Sequence, residues 1–161
     1  MDVEELFRRY AAGERDFARV DLSGVNLNFA NFSVFGGARN KNNLRGINLS
    51  GVNLTRASIE CVDLSGANLS SANLESSILN GVELTDADLS DADFYCANFD
   101  GVKLINTNLR GAYLVSVSMC GVDLTGADLT GAEFTCGGDG LTFCNTIMPD
   151  GTVNTEYFRT R

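Results

Sequence analysis

The sequence predicts an all-β solenoid, a chain wound into a four-sided coil with its apolar residues inside. Three observations carry this. Leu, Phe, Ile or Met recurs at every fifth residue from Leu44 to Phe134, nineteen times without a break. A small residue, most often Ala or Val, stands two places before these apolar residues, as in Ala67, Ala72, Ala87, Ala92, Ala97, Ala127 and Ala132. The strings Cys61-Val62-Asp63-Leu64, Gly81-Val82-Glu83-Leu84, Gly101-Val102-Lys103-Leu104 and Gly121-Val122-Asp123-Leu124 are spaced by 20 residues, so four five-residue units make one turn. Gly51-Val52-Asn53-Leu54 falls on a different side of that turn.

A period of five matches neither the helical 3.6 nor the strand period of two. An α-helix would smear the apolar positions around its surface, and so much Asp, Asn, Gly and Ser disfavours it. A flat strand would turn alternate leucines to solvent. A chain that bends once in five residues points every central apolar residue and every small residue inward. Each buried Leu or Phe then contributes about 1.5–3 kcal/mol. Stacked coils satisfy one another's backbone groups, so each coil needs a neighbour and the ends need caps.

Residues 1–14 read as an N-terminal helical cap. Asp2 with Glu5 forms a capping-box pattern, Val3, Leu6, Phe7, Tyr10 and Ala11 follow helical spacing, and Gly13 suits the stop. Residues 15–135 are the coil. Its first block, Phe17, Leu22, Leu27 and Phe32, is followed by 12 residues to Leu44 where ten would keep phase. The segment 33–43 therefore holds a two-residue bulge or a short extruded loop. It carries Phe35, Arg39 and Lys41, a basic spot that is either a tolerated insertion or a recognition loop. Residues 136–161 form a C-terminal cap and tail, in which Leu141, Phe143, Ile147 and Met148 cover the last coil. Cys136 and Cys144 either pair there or stay reduced, and a reducing cytoplasm favours free thiols.

Units such as Ala67-Asn68-Leu69 and Ala127-Asp128-Leu129 resemble the pentapeptide-repeat family, whose motif is Ala-(Asp/Asn)-Leu-X-X, and the resemblance runs over about 15–135. It implies a right-handed quadrilateral β-helix, with the middle Asp/Asn and the last two residues of each unit facing out. The stretches from Arg9 to Phe17 and from Cys144 to Gly151 resemble cyanobacterial members. Gyrase-protecting members imply one functional class, a mimic of the DNA phosphate backbone, and their extruded loops are longer than 33–43.

The formal charge is −9, which argues against direct binding to nucleic acid or anionic membranes and leaves open a partner with a basic surface. There is no histidine, no apolar run of membrane-spanning length and no basic, apolar leader, so the expected compartment is the cytoplasm. Five cysteines without a C-x-x-C pair signal neither a disulfide scaffold nor a zinc site.

Two surfaces stand out. Glu83, Asp86, Asp88, Asp91, Asp93 and Asp100 run without an intervening Lys or Arg, and should cluster on one coil. They read as a solvated acidic surface, as a DNA mimic, or, lacking a compact ligand loop, least well as a divalent-cation site. Tyr95 and Val115 are 20 residues apart at an outward position and should stack, with Tyr113 on the same face and Ile105 on another. Such a ladder is either inert or a partner or weak self-association site. No constellation for nucleophilic or acid–base catalysis appears, and no phosphate-binding glycine loop opens a helix. The expectation is a non-enzymatic interaction, scaffolding or regulatory protein without metal or cofactor. The alternative is a DNA-mimicking inhibitor or protector of a topoisomerase or gyrase-like enzyme.

Overall fold

The computed structural model describes residues 1–14, 16–28, 30–31, 43–155 and 158–159, with the backbone alone at 136–137 and 158–159. One helix, α1 (Val3–Ala11), opens the chain. Asp2 caps it by accepting the Glu5 amide at 2.8 Å. Glu5 turns its carboxylate to Arg8, so the expected capping box is formed from the Asp2 side. Leu6 and Tyr10 are buried, whereas Phe7 is 41% exposed. Leu6 lies over the apolar interior beside Leu22, Leu27 and Leu44. Arg9 packs its guanidinium 5.5 Å from the Phe17 ring and pairs with Glu14.

The coil follows as parallel bridges at a constant spacing. Asp63 bridges Glu83, Asn68 bridges Asp88, Asn73 bridges Asp93 and Ile78 bridges Asn98, in each case four five-residue units further along the chain. Repeated through the chain, these bridges make four ladders. Backbone bonds run between coils in both directions: the Leu64 amide donates to Glu83 O at 2.8 Å, and the Asn68 amide to Ile47 O at 2.9 Å.

Each unit bends through a turn closed by the small residue, as when the Ala67 amide donates to Leu64 O at 3.0 Å. The residue before the small one takes a positive φ at such corners, 58° at Asp86 and 57° at Cys96. That is the demand of a type II turn. The Asp or Asn of the motif supports the corner by accepting the amide two residues on: Ser65 to Asp63 at 3.0 Å, Ser90 to Asp88 at 3.1 Å, Tyr95 to Asp93 at 2.9 Å. This is why the middle position of the unit is so often Asp or Asn.

Central and small residues fill the interior. Leu64, Ala67, Leu69, Ala72, Leu74, Leu89 and Phe99 are all buried, and Phe94 meets Phe99 edge-on at 4.9 Å. Where a hydroxyl takes the small position it is satisfied by the backbone: Thr107 donates to Leu84 O at 2.9 Å and Ser77 to Leu74 O at 2.7 Å.

The spacing changes at both ends of the coil. At the start, Asp16 bridges Asn43, Asp21 bridges Asn48 and Asn26 bridges Asn53, all at a sequence offset of 27. The excess over a regular turn is therefore seven, one whole unit plus the two that the phase slip predicted. Phe32, Phe35, Arg39 and Lys41 lie outside the described residues, as does the choice between bulge and loop.

At the other end β1 (Tyr113–Ser118) pairs in parallel with β2 (Glu133–Gly137), and the register slips by one residue after Val115. Asp123 then bridges Thr142 and Asp128 bridges Ile147, both one residue short of a regular turn. The ladder thus continues past Phe134, with Leu141, Phe143 and Thr146 buried. The tail folds back on this turn. β3 (Thr142–Phe143) pairs antiparallel with β6 (Phe158–Arg159), and β4 (Thr146–Ile147) with β5 (Val153–Asn154). Among the described residues no helix is long and apolar enough to cross a membrane.

Candidate interaction surface

Because each unit lies over its equivalent one turn earlier, outward residues form columns. One side of the coil carries Asp63, Glu83, Lys103 and Asp123 at its bridge positions; the next carries Asn68, Asp88, Asn108 and Asp128. The third carries Asn73, Asp93, Tyr113 and Glu133, and the fourth Ser58, Ile78, Asn98 and Ser118.

The six expected carboxylates do share one coil, but the coil distributes them. Glu83 and Asp86 belong to the first side, Asp88 and Asp91 to the second, Asp93 to the third and Asp100 to the fourth. They are spread as a belt over four ladders rather than gathered in a patch on one. The five-residue bend is the cause, since it turns each unit away from the last.

Most of the belt is engaged by the coil above. Glu83 pairs with Lys103 at 2.9 Å, Asp86 accepts from Asn106 at 3.2 Å, and Asp88 accepts from Asn108 at 2.9 Å. Asp100 accepts the Ser118 hydroxyl at 3.1 Å and the Cys120 amide at 3.2 Å. The Asp91 carboxylate lies under Gly111. Lys103 is held above the usual lysine pKa by its hydrogen bond to Glu83. At Asp63 and Asp128 burial pushes the carboxyl up, but hydrogen bonds from Ser65 and Thr130, with Arg45 and Arg110, outweigh it and hold both below the usual range.

The aromatic residues come together as expected. The Tyr95 and Tyr113 rings are 6.1 Å apart and tilted by 33°. Tyr95 is 41% exposed, while Tyr113 and Val115 are half-buried. The Cys96 amide donates to Val115 O at 3.2 Å, which seats Tyr95 beneath Val115. A hydrogen bond with the Cys96 side chain, then the neighbouring Cys96, burial, Tyr113 and Glu75, raise the Tyr95 hydroxyl above its ordinary pKa.

Two further residues complete this face. Glu75 precedes Tyr95 by one full turn, and the Ser76 amide bonds Tyr95 O at 2.8 Å, so Glu75 stands one coil below the ring. Glu133 bridges Tyr113 from above, and Asp93 bridges it from below. The same spacing that aligned Tyr95 with Val115 points to both glutamates. Ile78, 40% exposed, replaces the usual Asn, Asp or Ser at a bridge position of the fourth side.

A shallow groove of about 460 Å³ runs between the fourth and first sides, lined by Gly101, Lys103, Gly121, Asp123, Gly140 and Thr142. It holds no aromatic residue, and its lysine is committed to Glu83. Cys61, Cys96, Cys120 and Cys144 are free thiols, the first three exposed; the Cys136 side chain lies outside the described residues.

The family model for pentapeptide repeats matches residues 41–70, 67–104 and 97–135, in eight copies. No curated protein matches the chain. Among solved structures, a pentapeptide repeat protein (Rfr23) of the cyanobacterium Cyanothece 51142 is 28% identical, with 90% of this chain and 97% of that chain covered and a TM-score of 0.59. A pentapeptide repeat protein from the thylakoid lumen of Arabidopsis thaliana is 32% identical over 70% of each chain, with a TM-score of 0.45. A third, from Nostoc PCC 7120, is 32% identical, covering 78% of this chain and 79% of that chain at a TM-score of 0.40.

Proposed function

From the chain's membership of the pentapeptide-repeat family, whose fold is a right-handed β-helix, we propose that it is a non-enzymatic interaction module, a rigid four-sided rod that displays an acidic surface to a partner protein. The four ladders are then the faces of a quadrilateral coil, and scaffolding or regulation follows from holding a partner on one of them. The observation that carries the reading is the exposed Tyr95, stacked on Tyr113 and set among carboxylates on a backbone bonded coil to coil. Aromatic residues on a rigid base are what interface anchors are made of. A net charge of −9 selects a basic partner surface and disfavours nucleic acid and anionic membrane. We place the protein in the cytoplasm of a cyanobacterium, where its thiols stay reduced.

The test is affinity capture from cyanobacterial extract with the full chain and with Tyr95→Ala/Tyr113→Ala. The expected result is a stoichiometric partner retained by the first and lost by the second. A partner that binds both equally would move the interface off this face. The competing reading, a DNA mimic acting on a gyrase-like enzyme, has less support. It needs continuous carboxylate rows, whereas Lys103 interrupts the column of Glu83 and Arg110 binds Asp128 at 3.0 Å.

A further inference from the structure

The third side of the coil has a regular outward lattice. One column runs Glu75, Tyr95, Val115 and the adjacent column Asp93, Tyr113, Glu133, each step being one coil. The two rings lie on the diagonal, and the carboxylates occupy positions around them. Steps of about 4.8 Å put Glu75 and Asp93 within one coil spacing or one corner of Tyr95.

The charges of this lattice are of one sign. Glu75 and Glu133 enter no ion pair among the described residues. Asp93 spends one oxygen on the Tyr95 amide at 2.9 Å. Arg110, three residues before Tyr113, is tied to Asp128 at 3.0 Å. The tyrosine rings therefore stand beside three carboxylates, and the cation Arg56 lies two coils below Tyr95, where its amide bonds Glu75 O at 2.9 Å.

Taking the interaction reading above as its basis, we propose that this lattice is a seat for an arginine side chain of the partner protein. A guanidinium laid on the exposed face of Tyr95 gains from the ring's quadrupole. Its planar fork of donors reaches carboxylates on more than one side, here Glu75 below and Asp93 beside the ring. An ammonium is a strongly hydrated point charge that does neither as well. The partner is then a protein whose contact segment is basic and arginine-bearing, with Val115 covering the side chain's methylene stem.

The experiment is a titration of the isotope-labelled full chain with acetyl-Gly-Arg-Gly-Arg-Gly-amide and with its lysine counterpart, followed by NMR. The expected result is saturable movement of the Tyr95 and Tyr113 ring resonances, with the arginine peptide binding about threefold tighter or better than the lysine peptide. Tyr95→Ala and Glu75→Gln each weaken binding about fivefold, while Tyr95→Phe keeps it, since the ring and not the hydroxyl carries the contact. Shifts spread equally over Asp63, Asp88 and Asp128, equal affinity for the two peptides, or indifference to Tyr95→Ala would overturn the assignment. If the peptides fail yet a captured partner is lost on Tyr95→Ala, the arginine seat is wrong and the interaction face stands. A partner captured equally by both chains removes the face itself.

Discussion

Glu83 and Lys103 stand one above the other, a full turn apart in sequence and joined at 2.9 Å. Opposite charges meet because the winding of the backbone stacks them, not because the side chains seek each other over a distance. Both are partly exposed, and exposed pairs contribute little. Lys103→Met is expected to lower stability by about 0.2–1 kcal/mol in urea denaturation, with most of that small effect gone in high salt. A loss of several kcal/mol would mean that the pair organises the coil.

Leu89 is buried and its neighbour Asp88 faces out. Leu89→Ala is expected to cost about 2–5 kcal/mol, and Leu89→Asp, which puts a charge in the stack, to abolish folding. Asp88→Asn keeps an oxygen for the Ser90 amide and should change stability by about 0.5 kcal/mol or less. Equal tolerance of Leu89→Asp and Asp88→Asn, read by circular dichroism and urea titration, would reverse the assignment of inside and outside.

Gly111 and Gly101 have nearly the same positive φ, 66° and 70°, but different surroundings. A methyl group on Gly101 meets nothing within 4 Å, whereas on Gly111 it strikes the Asp91 carboxylate. Gly101→Ala should cost about 1–2 kcal/mol for the left-handed backbone alone. Gly111→Ala should cost about the same, because the Asp91 carboxylate is the end of an exposed side chain that can swing aside, and adding Asp91→Ala should change little further. Thermal melts of the three variants check this.

Acid should weaken the protein. Asp21, Asp63, Asp128 and Asp150 all have folded pKa values lowered by hydrogen bonds, with Arg45 and Arg110 adding to the effect at Asp63 and Asp128. A carboxyl whose pKa is depressed on folding stabilises fully above its unfolded value, about 3.9 for Asp, and loses that contribution as pH falls through the folded value. Stability should therefore be flat from pH 7 to about 5 and fall below about 4. Urea midpoints across that range check it, and a midpoint that rises on acidification would contradict the carboxylate bonding described.

The orientation of Leu89 and Asp88 was legible in the sequence, because a strict period of five allows one direction of bending. The meeting of Tyr95 with Tyr113 was legible for the same reason. The seven-residue excess before Asn43 was readable only as two, since a phase shift is blind to whole units of five. Leu141 and Phe143 were readable as a cover for the last coil but not as a further turn of it, because one dropped residue after Phe134 shifts the phase and Thr146 replaces the small apolar residue. The acidic run from Glu83 to Asp100 looked like a cluster in one dimension and is a belt in three. Nor did the motif's Asp and Asn announce that they support the corners, which is a local backbone task before it is a surface property.

The stacking of one turn on the next is what every outward column depends on, and it can be read directly. Backbone NOE contacts in the labelled protein should link equivalent positions of successive turns, at Asp63–Glu83, Asn68–Asp88 and Asp93–Tyr113. The spacing should widen by seven at Asp21–Asn48 and shorten by one at Asp128–Ile147. Contacts that follow this series would establish the coil and its columns. Contacts dominated by antiparallel pairs or by helical i to i+4 spacing in 44–134 would contradict them, and with them the face that brings Tyr95 to Tyr113.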